Sequence, residues 1–264
     1  MNIAFDIGGT SLRVAAVTSS GIGEPKKVPT PQDPKEAVQQ IATLAKDISG
    51  GAIEAAAGGI RGRVVDGVFL KDKILVQWEG TKLVDELSQA LGAPVQLVHD
   101  TAVAGLGEVH YGAGRGSKIC AYITVSTGVG GDRIVDGHVD HYTYNPEIGR
   151  QLIDGTELEG LISGTAVQKK FGVHPKDLDS LDERNKLAGI LAIGLYHATL
   201  HWSPDTIVLG GSMIIGVNPI PLARVQEELT KRITMYPKAP VVKMAELGDS
   251  AGLYGGVALL QERR

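Results

Sequence analysis

The stretch AFDIGGTSLRVAAV, near the start of this 264-residue chain, combines residue types that bind phosphate. Asp6 interrupts an otherwise apolar strand. The turn to a second apolar strand follows at once and contains Gly8, Gly9 and Thr10. Glycines let backbone amides approach a phosphate closely, and the threonine hydroxyl is a further donor. A carboxylate beside this turn can reach a magnesium ion that accompanies the phosphates, usually through water. The pattern therefore predicts a magnesium-phosphate site; the alternative is a hairpin turn that needs only positive φ angles.

Two later glycine turns extend this interpretation. VSTGVGG, residues 125–131, follows another apolar strand and could grip a polyphosphate from a second side. DTIVLGGSM, residues 205–213, exposes backbone after a third apolar strand, which suits a flat ring such as adenine. The residues predicted to bind nucleotide in these two turns are Thr127, Gly128, Gly130, Gly131, Gly210 and Gly211.

The stretch LVHDTAVAGLGE contains the candidate for a catalytic base. Asp100 lies where a short predicted strand runs into a predicted helix. Aspartate is a favourable helix N-cap, and that role alone could explain its position. A carboxylate near a phosphate site can also accept the proton of a substrate hydroxyl. We predict that Asp100 is a general base, with the N-cap role as the alternative.

Composition narrows the class of protein. Hydrophobic residues make up 43% of the chain, enough for a sizeable core, and the formal charge of -4 accompanies an isoelectric point of about 6.0. Nucleic-acid binders normally present a basic face, so nucleic acid is not the expected partner. Cys120 is the one cysteine, which excludes an internal disulfide. No apolar run reaches the ~18 residues of a membrane helix, and the first residues do not resemble a signal peptide, so we expect a cytoplasmic protein without membrane contact.

Hydrophobic patterns indicate the elements that position these residues. Short connections between the first three strands predict an antiparallel meander. Asp33 and Pro34 predict the start of the first helix, and Gly92 the end of the second. The first half is predicted to contain strands at residues 2–7, 12–18, 24–30, 53–59 and 95–98, and helices at residues 34–49, 81–91 and 101–109.

The second half repeats this order. Strand, turn, strand, turn and strand are followed by alternating helices and strands, starting near residue 2 and again near residue 118. This repetition predicts two similar α/β lobes with a cleft between them. The second half is predicted to contain a strand at 118–125, the glycine turn at 125–131, strand, turn and strand over 132–142, helices at 184–202 and 221–235, strands at 206–209 and 241–245, and a glycine turn leading into a terminal helix within 249–264.

In this order the motifs resemble the ROK family, a group of sugar kinases and repressors within the sugar kinase, Hsp70 and actin superfamily. The matching stretches are DIGGTSLRVAAV, AAAGGIRG, HDTAVAGLGE, STGVGGDRIVDG, NPEIG, LEGLISG and SPDTIVLGGSMI. The resemblance implies two duplicated ribonuclease H-like lobes, the actin-like ATPase fold. Residues 1–112 would be a sugar-binding lobe and residues 113–250 a nucleotide-binding lobe, with a terminal helix at about 251–264 packed on the first lobe.

The same resemblance implies ATP-dependent, magnesium-dependent phosphorylation of a hexose or N-acetylhexosamine, at its 6-hydroxyl, by a homodimer. Asp100 matches the family's catalytic base, and the three glycine turns match its nucleotide-binding segments. Glu147 and Glu159 match glutamates that hold sugar hydroxyls, and Gly59 falls in the family's loop over the sugar. His99 also belongs to the predicted sugar site.

This chain departs from the family pattern at the predicted sugar site. His99 replaces an asparagine, and Arg150 replaces the histidine of an E-x-G-H motif. The cysteine-rich zinc loop of many members is missing between Glu147 and Glu159, so we expect no structural zinc. Arg150 is predicted either to contact the substrate or to pair with Glu147 or Glu159. These departures keep a second hypothesis open, a protein that senses sugar or nucleotide without catalysis.

Overall fold

A computed structural model of the chain describes residues 1–262. Arg263 and Arg264, the end of the predicted terminal helix, lie outside the described residues. The chain divides into two compact units. Unit 1 contains residues 1–110 and the segment from Asp249 onward, and unit 2 contains residues 111–248. Each unit is built around its own hydrophobic core.

The main sheet of unit 1 has the order β3-β2-β1-β5-β8, and β4 also pairs with β2. β1 runs antiparallel to β2 and parallel to β5, which in turn is parallel to β8. The strands are β1 (Asn2–Ile7), β2 (Ser11–Thr18), β3 (Gly21–Ile22), β4 (Lys26–Pro29), β5 (Ala55–Ile60), β6 (Val64–Val65), β7 (Val68–Phe69) and β8 (Val95–His99). The helices before the chain enters unit 2 are α1 (Pro34–Ser49), α2 (Leu83–Leu91) and α3 (Asp100–Tyr111).

Local sequence signals account for most of these boundaries. Asp33 caps α1, since its side chain accepts a hydrogen bond from the Lys35 amide at 2.9 Å. Gly92 ends α2 in the left-handed conformation that glycine adopts easily. The predicted third strand is shorter than expected, because Pro25 has no amide proton to donate to a ladder, and pairing resumes only in β4.

Unit 2 repeats the sheet of unit 1. Its order is β11-β10-β9-β14-β15, so each sheet places its first strand centrally, with an antiparallel hairpin on one side and two parallel strands on the other. The strands are β9 (Ile119–Val125), β10 (Val129–Val135), β11 (His138–Val139), β12 (Leu152–Ile153), β13 (Thr156–Glu157), β14 (Thr206–Gly210) and β15 (Val241–Met244). The helices are α4 (Leu158–Ile162), α5 (Gly164–Phe171), α6 (Leu181–Trp202), α7 (Ser212–Ile215) and α8 (Leu222–Arg232). This shared topology confirms the predicted duplicated α/β fold.

The second glycine turn is shorter than predicted. Gly130 and Gly131 belong to β10, where they pair with Thr124 and Ile123 of β9. The turn itself spans residues 126–128. A Cβ on Gly131 would lie 2.8 Å from the Tyr122 carbonyl oxygen and 3.1 Å from Cγ2 of Ile148, so glycine is needed here for close packing within the unit.

The terminal helix α9 (Ala251–Glu262) packs against β1 and β5 of unit 1. The predicted glycine turn before it is wrong, because Gly252, Gly255 and Gly256 lie inside the helix. A Cβ on Gly256 would lie 2.7 Å from the Ala57 carbonyl oxygen. The absence of side chains therefore lets the helix backbone lie directly on the sheet. No helix within residues 1–262 has the length and hydropathy needed to cross a membrane.

Candidate active site

Two carboxylates lie at the same edge of the unit 1 sheet. β1, β5 and β8 are parallel, so their carboxyl ends meet at one edge, where ligands usually bind in α/β proteins. Asp6 is the penultimate residue of β1, and Asp100 follows directly after β8. Burial is the main cause of the raised pKa of Asp6, and the nearby negative charge of Asp100 adds to it. The structure thus brings together the predicted magnesium-binding carboxylate and the predicted base.

Asp6 lies in a largely buried, ion-paired position. Its side chain is 16% exposed, and Nη1 of Arg13, its neighbour across the β1–β2 ladder, donates to Oδ2 at 3.2 Å. Nη2 of Arg13 donates to Oδ2 of Asp249 at 2.6 Å. A Cβ on Gly252 would lie 2.9 Å from the Asp6 Cγ, so the start of α9 closes over the carboxylate. Burial, assisted by the charge of Asp100 and opposed by Arg13, raises the pKa of Asp6 to about 6.

The first glycine turn leaves donors available for a ligand. The Gly8 amide donates to the Ser11 carbonyl oxygen at 3.0 Å, and the Thr30 hydroxyl donates to the Gly8 carbonyl oxygen at 2.7 Å. Within the described chain, the amides of Gly9 and Thr10 donate no hydrogen bond to other residues. Neither glycine has a positive φ angle, so the alternative explanation for this pair is wrong. A Cβ on Gly8 would instead lie 2.9 Å from the Ser11 carbonyl oxygen.

Asp100 is the first residue of α3, and its side chain is 36% exposed. Its Oδ1 accepts a hydrogen bond from the Thr101 amide at 2.8 Å. A helix N-cap normally bonds the amide two or three residues further on, so this contact differs from a typical N-cap. His99 is held beside it, with Nδ1 2.7 Å from the Thr101 hydroxyl. The base role of Asp100 stays a prediction that this partly exposed position permits.

The family resemblance implied that Gly59 lies in a loop over the sugar, and the structure corrects this position. It is a buried residue of β5, paired with Asp6 on one side and Val98 on the other. A Cβ there would meet Cγ1 of Val103 and would lie 3.3 Å from the Asp100 Cα. The missing side chain therefore allows α3 to pack tightly on β5, which sets the position of Asp100; a direct sugar contact stays a prediction.

Gly59→Ala is expected to reduce activity at least tenfold. The new methyl group would push α3 away from β5, and a displacement of about 1 Å at a catalytic group can cost on the order of 10²-fold. Steady-state assays of the phosphoryl transfer that the family resemblance implies would measure the change. The matched control is Gly51→Ala, because a Cβ on Gly51 meets no atom within 4 Å. Equal activity of the two variants would contradict this positioning role.

In unit 2, Glu159 supports the glycine turn between β9 and β10. Its Oε2 accepts a hydrogen bond from the Val129 amide at 2.9 Å, and a Cβ on Gly128 would lie 2.6 Å from the same oxygen. The Thr165 hydroxyl donates to the Thr127 carbonyl oxygen at 2.8 Å. As in unit 1, two turn amides, those of Thr127 and Gly128, donate no hydrogen bond among the residues described. Glu159 thus links the predicted sugar-binding segment to the predicted phosphate turn.

Arg150 pairs with a residue that the sequence did not suggest. Its Nη1 donates to Oε2 of Glu157 at 2.7 Å, instead of to Glu147 or Glu159. The hydrogen bond and charge of Glu157 raise the pKa of Arg150, and the charges of Glu159 and Glu147 act in the same direction. The pair fastens the turn after Glu147 to the short β12–β13 hairpin that precedes Glu159. The two predicted sugar-binding glutamates are therefore the first and last residues of one segment, residues 147–159, which the Arg150–Glu157 pair braces internally.

Gly210 and Gly211 lie where β14 passes into α7. Gly211 has a φ angle of 86°, which favours glycine, and its Cβ would lie 2.6 Å from the Thr124 hydroxyl oxygen. A Cβ on Gly210 would lie 2.7 Å from the Tyr122 hydroxyl oxygen. Both glycines thus bring the end of β14 close to β9, at the carboxyl edge of the unit 2 sheet.

Comparison with known proteins identifies the family. The ROK family profile matches residues 2–263, nearly the whole chain. The chain belongs to the ROK family. A fructokinase from Zymomonas mobilis is 31% identical over 205 residues, which cover 69% of this chain and 67% of the relative.

Solved structures of ROK proteins have the same fold. A ROK hexokinase from Thermus thermophilus is 25% identical to this chain. The two structures superpose with a TM-score of 0.84, over 99% of this chain and 98% of the hexokinase. A ROK family glucokinase from Streptomyces griseus, solved with glucose and AMPPNP, is 24% identical, with a TM-score of 0.81 over 99% of each chain. At 24% identity, the similarity to this glucokinase is evidence for the fold of the chain alone.

The donors of this ROK protein suit phosphate. The turns provide amides without a partner in the described chain, at Gly9 and Thr10 in unit 1 and at Thr127 and Gly128 in unit 2. Within residues 1–262, no three His, Cys, Asp or Glu side chains cluster as a metal site. The role of Asp6 toward a magnesium ion, through water, stays a prediction.

Sequence reasoning missed residues that act through distant contacts. Arg13 and Asp249 bond to each other although 236 positions separate them. His197 is another example, since its Nδ1 lies 2.8 Å from the Gln151 side-chain oxygen and anchors the braced segment to α6. The GGTSLR spacing does place Arg13 opposite Asp6 on an antiparallel hairpin, which was the available signal for that pair.

Proposed function

We propose that this ROK protein is an ATP-dependent sugar kinase with Asp100 as general base. The observation that carries the proposal is that Asp6 and Asp100 lie at the same carboxyl edge of the unit 1 sheet, beside a turn with unused amide donors. Phosphoryl transfer needs these parts, namely a group that accepts the hydroxyl proton, a carboxylate near the metal, and donors for the phosphates. The family and the sugar kinases among its relatives support the same reaction class.

Each residue has a distinct role in the proposed reaction. Asp100 accepts the proton of the sugar hydroxyl, the 6-hydroxyl of a hexose, as that oxygen attacks phosphorus. The amides of Gly9 and Thr10 donate to phosphate oxygens. Asp6 would contact a bound Mg²⁺ through water, and that ion would neutralise phosphate charge. Positioning and charge neutralisation then provide most of the rate enhancement.

We further propose that residues 147–159 of unit 2 hold the sugar and that Gly210 and Gly211 contact the adenosine. Glu147 is exposed and Glu159 is half-buried, so both carboxylates are accessible to hydroxyl donors. A site that hydrogen-bonds hydroxyls strongly rejects an analogue that lacks one, because its own polar groups lose their partners. The acceptor is a hexose or an N-acetylhexosamine.

Release of ADP from Mg-ATP, measured with a panel of sugars, tests this function. The panel contains glucose, fructose, mannose, N-acetylglucosamine and N-acetylmannosamine. We expect at least one sugar to stimulate ADP release well above the rate in its absence. Nucleotide binding without turnover on any sugar would contradict the kinase and favour a sensor.

Arg150→Gln is expected to raise KM for the preferred sugar about fivefold, with kcat little changed. The pair with Glu157 is 46% and 43% exposed and contributes no more than about 1 kcal/mol, which corresponds to about that factor. The loss should appear in sugar binding because the pair orders the segment that carries Glu147 and Glu159. Lys186→Gln, which breaks the exposed Lys186–Glu183 pair elsewhere in unit 2, is the control. An equal rise in KM for both variants would contradict the role of the brace.

A further inference from the structure

Arg61 lies against the first glycine turn. It follows β5 directly, and its amide donates to the Ile7 carbonyl oxygen at 2.8 Å, so its backbone runs beside the end of β1. A Cβ on Gly9 would lie 2.9 Å from the Arg61 Cδ and 3.3 Å from its Nε. The arginine stem thus occupies the space that a side chain at Gly9 would need, and its guanidinium lies at the turn with the unused amides.

Asp72 holds this guanidinium without fully satisfying it. The Arg61 Nε is 3.7 Å from Oδ1 of Asp72, which is too long for a hydrogen bond. That oxygen already accepts hydrogen bonds from the amides of Ile74 at 2.7 Å and Leu75 at 2.9 Å. Burial opposes ionisation of Asp72, but the Leu75 and Ile74 amides, the charge of Arg61 and the Lys73 amide together lower its pKa. The Asp72 oxygen nearest to Arg61 is therefore already occupied by two amides of its own loop.

The Arg61 Nε is buried and has no hydrogen-bond partner in the part of the chain that the structure describes. A buried donor without a partner costs free energy, typically about 1–3 kcal/mol, unless a ligand pairs with it. Guanidinium groups have five donors and match the oxygens of phosphate. Arg13, the other arginine near the acidic pair, already bonds both Asp6 and Asp249. Arg61 is thus a cation beside this turn with a donor that no residue of the described chain uses.

We propose that Arg61 binds the phosphoryl group during its transfer. This inference rests on the proposed kinase function. In that reaction the bond from the sugar oxygen to the γ-phosphorus forms, the bond to the β-phosphate oxygen breaks with its electron pair left on ADP, and Asp100 takes the hydroxyl proton. Arg61 neutralises the oxygens of the moving phosphoryl group and contributes little to binding of ADP, which lacks that group.

The test compares the affinities of two nucleotides by calorimetry with Mg²⁺ present. Arg61→Met is expected to bind AMPPNP about tenfold more weakly than the wild type and ADP equally well, because one charged hydrogen-bonded contact is lost. Its kcat should fall on the order of 10²-fold. Arg61→Lys keeps the positive charge but lacks the planar guanidinium group. Its AMPPNP affinity and its kcat should lie between those of the wild type and Arg61→Met. Arg63→Met, two residues away and exposed, is the matched control and should change neither quantity.

Two results would overturn the proposal. One is an AMPPNP-to-ADP affinity ratio that Arg61→Met leaves unchanged, whatever happens to kcat. The other is that Arg63→Met changes the affinity ratio and kcat as much as Arg61→Met does. That result would show that any positive charge in this loop has the same effect. If the wild type phosphorylates no sugar, the kinase function fails, but the affinity ratio still decides whether Arg61 binds the terminal phosphate. Arg61→Lys provides the same ratio if Arg61→Met does not fold.

Discussion

Asp100→Asn is expected to lower kcat for sugar phosphorylation by about 10² to 10⁴-fold, the usual effect of removing a general base. Asparagine has the same shape and keeps a side-chain oxygen for the Thr101 amide, so α3 should still begin at the same place. The affinity for nucleotide and the melting temperature should change little. The loss is thus expected in the chemical step alone.

Steady-state kinetics and nucleotide titrations of the same preparation would measure both expectations. Asp85→Asn, a surface carboxylate of α2 in the same unit, is the control and should retain full activity. An Asp100→Asn enzyme with near-normal turnover would remove Asp100 from the mechanism and leave the alternative, a structural role at the start of α3.

Asp6→Asn is expected to lower activity by about 10²-fold or more while making the protein more stable at pH 8. The proposed role of Asp6 is electrostatic, and loss of one such group typically costs that factor. The stability effect has the opposite sign because burial makes the Asp6 charge unfavourable in the folded state. Activity and stability should therefore move in opposite directions at this residue.

The pH dependence follows from the pKa of Asp6, raised from 3.8 to about 6. The folded protein holds this proton more tightly than the unfolded chain, so ionisation costs stability as pH rises from about 4 to above 6. That cost is complete at pH 8, and from pH 5 to pH 8 the stability advantage of Asp6→Asn should grow by about 1 kcal/mol. Urea unfolding at both pH values, with EDTA and without nucleotide, would measure it. A difference in unfolding free energy that does not change with pH would contradict the raised pKa.

Local patterns were enough to predict many elements. β1 alternates between the apolar side chains of Ile3, Phe5 and Ile7 and a second face with Ala4 and Asp6, and its predicted bounds are correct. The Asp33 cap of α1 and the glycine stop of α2 also depend on neighbouring residues alone. The repeated order of elements predicted the duplication, since each copy must bury its own apolar faces. Short helices such as α4 and α5 were missed because five to eight residues provide little periodicity.

The sequence by itself thus determined the duplicated α/β fold, the family, and the positions of Asp6 and Asp100 at strand ends, because strand and turn signals act over a few residues. Only the tertiary structure decided how those carboxylates are held. The Arg13–Asp249 bond, the Arg61 stem on Gly9, and the contact of α3 with Gly59 join segments far apart in the chain. A glycine that is needed for close packing looks the same in sequence as one that is needed for a turn. Which of the two applies depends on atoms that lie next to it only after folding.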